Sequence, residues 1–206
     1  MPPNVFTPRI KLEYVISFSD AVFAFAITFM ALTIDIPDLT PNLTQAQLIQ
    51  KLIDMYPQVE SYFLSFFVIA IFWLSYHHVF NHIKDSHISM VYLNLLFLFL
   101  ITLLSISTSL VITFNSYQIS YLIYSSVVIT TSLLLVIIWR YATSKFKLVD
   151  ENLNPLFIKG VLIHLLIIPL VFFVSILISF IDLDIAQYFW LAIVPLNVYT
   201  RHRFKH

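Results

Sequence analysis

Long apolar stretches separated by short polar connections dominate this chain. Val127 to Ile138 and Leu162 to Ile178 hold no Asp, Glu, Lys or Arg and are apolar on every face of a helix. A bilayer-spanning helix takes about 20 mostly apolar residues. Six stretches meet that requirement, at residues 13–36, 58–81, 88–113, 118–141, 155–181 and 185–200. A membrane β-barrel would instead alternate in polarity over segments of about ten residues, and these runs do not alternate. The pattern predicts an all-α, polytopic membrane protein with six transmembrane helices.

Composition agrees: 60% of residues are hydrophobic and 11% charged, with a mean hydropathy of +0.90. A soluble domain of this length does not hide that much apolar surface. The longest connections, 37–57 and 142–154, leave no room for a second soluble domain, so residues 1–206 read as one membrane domain. The first stretch follows Arg9 and Lys11 but is too long for a signal-peptide core, and is read as a retained span. With six spans, Arg9, Lys11, Lys84, Arg140, Lys145, Lys147, Lys159, Arg201, Arg203 and Lys205 fall on one side and only Lys51 on the other. That asymmetry predicts cytoplasmic N and C termini. Asp38 to Thr44 carries turn formers and helix caps, and 48–56 reads as a short outer amphipathic helix.

Several classes are excluded. Formal charge is zero and the basic residues are dispersed, which gives no footprint for nucleic acid. Without cysteine there is no disulfide, thiol catalysis or thiolate metal site. Gly160 is the only glycine, so there is no glycine-containing re-entrant filter loop, phosphate-binding loop or GxxxG packing motif. Any conduction pathway must be lined by side chains. Ser179-Phe180-Ile181-Asp182 only loosely echoes Phe18-Ser19-Asp20, so no inverted repeat is visible. Short helices surrounding a central pathway need several chains, most simply in cyclic symmetry.

The chemistry-bearing residues start with Asp20. A carboxylate beside hydrocarbon costs about 2.5 kcal/mol or more unless it faces protein or water and has partners. On a helical wheel Phe25, Thr28, Phe29 and Leu32 share a stripe about 100° wide, and Asp20 lies about 140° from Phe25. The first helix can therefore turn a mostly apolar stripe toward a pathway and its carboxylate toward neighbouring helices, although the stripe also suits ordinary packing. In the second span Trp73, His77 and Phe80 share a face, and Asn94 lies early in the third. Ser19, Asp20, Trp73, His77 and Asn94 are expected to form a structural polar network, because buried, satisfied hydrogen bonds fix helix positions. His77, His78, His82 and His87 cluster, and His78 and His82 are spaced to chelate a metal. Neither an HExxH sequence nor a cysteine accompanies them. His164 reads as a helix-helix hydrogen bonder, and Trp139-Arg140-Tyr141 as an interfacial anchor.

These residues resemble the prokaryotic members of the transmembrane protein 175 type of potassium channel. The resemblance rests on Phe18-Ser19-Asp20 followed by Ala21-Val22-Phe23-Ala24, on Trp73, His77-His78 and Phe80, and on Leu93-Asn94-Leu95-Leu96. Trp139-Arg140-Tyr141, Pro169-Leu170-Val171-Phe172 and Pro195 with the basic tail extend it over nearly the whole chain. It implies a homotetramer around a central pore lined by the first helix, selective for potassium over sodium without a re-entrant loop. Phe25 would be the hydrophobic constriction, with Thr28, Phe29 and Leu32 continuing the lining. Two positions depart from the family. Tyr14 stands where an arginine is usual, with Lys11 one turn earlier, and Phe25 replaces an isoleucine or leucine.

The expectation is a non-enzymatic, potassium-permeable channel in a prokaryotic plasma membrane. It has no cofactor, potassium is the permeant ion, and the lipid bilayer and its own copies are its partners. Two alternatives compete with it: a proton leak or proton-coupled permease using Asp20 and His77, and a membrane metalloenzyme using the clustered histidines. A structural or interaction subunit is a third.

Overall fold

The computed structural model describes residues 10–32, 34, 36, 44–114, 116–144 and 148–196. Among these residues seven α-helices follow in order: α1 Leu12–Ala31, α2 Gln45–Asp54, α3 Tyr56–Phe80, α4 Ile88–Thr113, α5 Gln118–Thr143, α6 Pro155–Ser179 and α7 Leu183–Phe189. A 3-10 turn, Trp190–Ala192, and a further helical turn complete the described chain. The helix starts follow local chemistry. Thr44 and Gln47 form a reciprocal capping box at α2, Asn154 accepts from the Leu156 N–H ahead of α6, and Asp182 accepts from the Ile185 N–H ahead of α7. Pro155 opens α6, at a position where its missing N–H costs nothing.

α1, α3, α4, α5 and α6 are long and apolar enough to cross a membrane. The α4 boundaries coincide with those expected, and those of α3, α5 and α6 differ by about two residues. Two elements differ more. α1 ends at Ala31 instead of residue 36: the Leu32 N–H turns to Phe29 O, a tighter bond that closes the helix. Ile36, at the expected end, precedes Pro37, and the residue before proline is driven away from helical angles. The sixth expected span is an apolar helical stretch, Leu183–Leu196, tightened at Trp190–Ala192 and shorter than a full crossing. Its expected residues 197–200 lie outside the described residues. So do Arg9, Lys145, Lys147, Arg201, Arg203 and Lys205 of the charge asymmetry, and 38–43 of the outer connection.

Packing runs α3–α1–α4–α5–α6–α7, and α3 also rests on α4. Phe23 of α1 is clamped by Tyr76 of α3 and Phe97 of α4, with ring centroids 5.7 and 6.1 Å away, and Tyr76 stacks on Phe97 at 5.8 Å. Met30 is fully buried on the same side of α1, and Ser105 Oγ of α4 donates to Ala26 O (3.0 Å). A second aromatic core, Tyr121, Tyr124, Phe172 and Trp190, joins α5 and α6 to the last helical segment.

Candidate functional site: a pinned helix with a bare face

α1 has two faces of opposite character. Val15, Ser19, Phe23, Ala26 and Met30 are buried against α3 and α4. About half a turn away lie Phe25, 64% exposed, and Leu32, 79% exposed, with Thr28 and Phe29 also exposed. Phe25 and Phe29 stack on each other at 5.7 Å along this outer face. Tyr14 and Phe18 continue the exposed stripe toward the start of the helix. The Thr28 hydroxyl donates back to its own helix, at Ala24 O (2.9 Å) and Phe25 O (3.1 Å). With its hydrogen committed there, the oxygen lone pairs remain for an outside donor or cation.

The buried side is fixed by hydrogen bonds fanning from two adjacent residues. Ser19 Oγ donates to Val15 O (2.8 Å) and accepts from Tyr76 OH (2.8 Å) and Asn94 Nδ2 (3.0 Å). Ser19, Tyr76 and Asn94 are all buried, so this hub joins α1, α3 and α4 away from solvent. Asp20 makes the second branch: the Trp73 indole N–H donates to Oδ1 (2.9 Å), and His77 Nε2 lies 2.8 Å from the same oxygen. With Asp20 as a carboxylate, which only accepts, the contact takes its hydrogen from His77 Nε2. The Asp20 branch is partly open to solvent, with side-chain exposures of 43% for Asp20 and 25% for His77. Trp73 and His77 also meet edge to face at 4.7 Å.

Ser19, Asp20, Trp73, His77 and Asn94 are thus brought together, in two branches that start from adjacent residues of α1. The sequence reading missed Tyr76. Its signal was available, because Tyr76 lies about 60° from Trp73 on the wheel and has a hydroxyl in an otherwise apolar run. The clustered histidines are divided among three settings. His77 faces Asp20, and His87 caps α4 by accepting from the Ser89 N–H (3.4 Å). His78 and His82 pack with His164, Phe157 and Trp139 in a group of rings. Among the described residues no three His, Cys, Asp or Glu side chains are grouped to hold a metal ion.

The fold and this site define a multi-pass α-helical membrane protein whose first helix is locked on one face and bare on the other. Residues 14–104, which hold both branches of the network, match the family described as "Endosomal/lysosomal potassium channel TMEM175". A potassium channel of Streptomyces collinus is 26% identical over 142 residues, covering 67% of this chain and 68% of that protein. One from Chamaesiphon minutus is 24% identical over 139 residues, covering 66% and 68%. The fold matches the crystal structure of a lysosomal potassium-selective channel TMEM175 homolog from Chamaesiphon minutus with a TM-score of 0.77 and 20% identity, over 95% of this chain and 98% of that one. Over residues 14–104 the chain is thus similar to the TMEM175 family, and the relatives it resembles along about two thirds of its length are potassium channels of Streptomyces and Chamaesiphon. That family is non-enzymatic, which upholds the expectation that this chain is not an enzyme.

Proposed function

We propose that this protein is the subunit of a potassium-permeable channel, residues 1–206 acting as one channel domain in a prokaryotic plasma membrane. Four copies surround a central pore, each contributing the Phe25–Thr28–Phe29–Leu32 face of α1. The observation that carries this reading is the division of α1: hydrogen bonds and aromatic clamps hold one face, while the protomer leaves the opposite face uncovered. A helix that is least buried of the five long ones, yet held to α3 and α4 by polar bonds, is suited to present a fixed lining to an axis. In this arrangement Phe25 forms the hydrophobic constriction, which closes by expelling water from a narrow apolar ring. Thr28, one turn further, offers oxygen to a partly hydrated cation. Potassium is favoured over sodium because its smaller dehydration cost suits a lining poor in oxygen ligands. The last helical segment belongs to the sixth crossing, and both termini are cytoplasmic.

The test is ion flux from liposomes holding the purified protein, with potassium and then sodium as the permeant ion. Potassium flux well above sodium flux is expected, and Phe25→Ala should raise it by widening the constriction. Unchanged flux in Phe25→Ala would remove Phe25 from the pathway. The proton-leak reading draws on one contact, the 2.8 Å approach of His77 Nε2 to partly exposed Asp20, an acid-base pair within reach of water. It would be preferred if flux followed pH, vanished in His77→Ala and did not require potassium.

A further inference from the structure

The short helix α2 plays no part in the channel reading, and its surface is sorted by polarity. None of its residues is buried, and Leu48, Ile49, Leu52 and Ile53 are all exposed. On a wheel these four span about 140°, while Gln47, Gln50, Lys51 and Asp54 fill a separate sector about 100° wide. The polar sector is internally tied, since Gln50 Nε2 donates to Asp54 Oδ1 (3.0 Å). The capping box satisfies the first turn locally, through Thr44 N–H to Gln47 Oε1 (3.0 Å) and Gln47 N–H to Thr44 Oγ1 (3.4 Å). This helix is therefore well made without burying any side chain in the protomer.

Its position suggests what covers the apolar sector. Exposed Tyr56, Phe114, Tyr117, Phe180 and Tyr188 stand at the start of α3, the end of α4, the start of α5, the end of α6 and on α7. Those ends belong to one end of the bundle, joined by Gln118 Nε2 to Ser179 O (3.4 Å) and by the Tyr188 hydroxyl to Glu60. Exposed aromatic rings gather where a bilayer meets water. α2 ends at Asp54, two residues before Tyr56, so it is tethered at that level. Pro57 has no N–H to continue the helical ladder, and the two helices are separated at Met55. Ten residues rise only about 15 Å, too little to cross a bilayer.

We propose that α2 is a membrane-surface helix, with its Leu48, Ile49, Leu52 and Ile53 face sunk at the boundary of headgroups and acyl chains. The occupant of this face is lipid, taken by apolar burial. The polar sector carries one lysine and one aspartate, so attraction to anionic headgroups contributes little. α2 lies between α1 and α3 in the chain, so the anchor sets the level at which the α1–α3 connection meets the membrane.

The absence of cysteine from the chain makes a site-directed probe direct. Single nitroxide labels at Gln47→Cys, Ile49→Cys, Gln50→Cys and Leu52→Cys would be compared in the full protein, reconstituted in phosphatidylcholine vesicles. The readout is accessibility to oxygen, which concentrates in acyl chains, against a water-soluble nickel chelate. The ratio should invert between Ile49/Leu52 and Gln47/Gln50, and stay inverted in high salt. Nickel access at all four positions would overturn the proposal, and so would an inversion lost in salt. A label at Leu52 shielded from both agents, with spin-spin broadening that disappears on dilution with unlabelled chains, would seat a second copy there instead of lipid.

Discussion

Among single residues, Ser19 has the greatest structural leverage for its size. Its hydroxyl is the acceptor for two donors, Tyr76 OH and Asn94 Nδ2, and all three side chains are buried. Ser19→Ala removes few atoms but strands both donors, and each buried, unpaired group costs about 1–3 kcal/mol. Thr28→Val, which also deletes a hydroxyl, should cost less than about 0.5 kcal/mol, the range of an exposed substitution. Thermal unfolding of the two variants in detergent should therefore show a clear fall for Ser19→Ala and almost none for Thr28→Val. Equal losses would mean that the hub does not hold α1. Asp20 was legible in the sequence because a charge in an apolar run demands partners. Tyr76 was legible only by its place about 60° from Trp73, since an aromatic residue in such a run otherwise looks like ordinary core.

The helices themselves were read well where apolar length decided the boundary, as in α3 to α6, and poorly where turn chemistry did. α1 stops short through a local backbone bond at Leu32, and hydropathy does not register that. Connections were the least legible elements, as the end of the bundle opposite α2 shows. There Ile83 pairs with Val149 in an isolated antiparallel bridge, the Lys84 N–H donates to Leu148 O (2.8 Å), and Lys84 forms an ion pair with Asp150. Ser86 Oγ also donates to Ile10 O, so three segments distant in sequence meet. The Lys84 ammonium, then the Asn152 N–H, hold the Asp150 carboxyl below its ordinary value of 3.8. A lowered folded value means the clasp's contribution is fully present above that ordinary value and is lost as pH falls through the folded one. Hydrogen exchange at the Lys84 amide should accordingly be insensitive to this group at neutral pH and accelerate only in strong acid. Lys84→Ala should move the Asp150 titration back toward the ordinary value. A titration unmoved by Lys84→Ala would show that the ion pair is not what shifts it.

An isolated protomer leaves more than one apolar face uncovered. Leu170 and Phe173 on α6 are as exposed as Phe25 on α1, so exposure alone does not distinguish a face turned to lipid from one turned to an axis. A single sequence could not make that distinction either, because apolar residues satisfy a bilayer and a subunit contact equally well. In the proposed channel the difference lies in the polar pinning of α1, where Ser19, Asp20, Trp73, Tyr76, His77 and Asn94 hold the helix in one rotation. If the pinning serves an axis, Phe25 side chains of different copies lie close together and those of Leu170 do not. A cysteine-free chain allows this to be read as a disulfide. A bond forms when Cα atoms come within about 7 Å, so Phe25→Cys in liposomes should yield covalent dimers on mild oxidation, reversed by reductant. Leu170→Cys should stay monomeric under the same conditions. Dimers from both would indicate random collision, and dimers from Leu170→Cys alone would place α6, not α1, at the contact between copies.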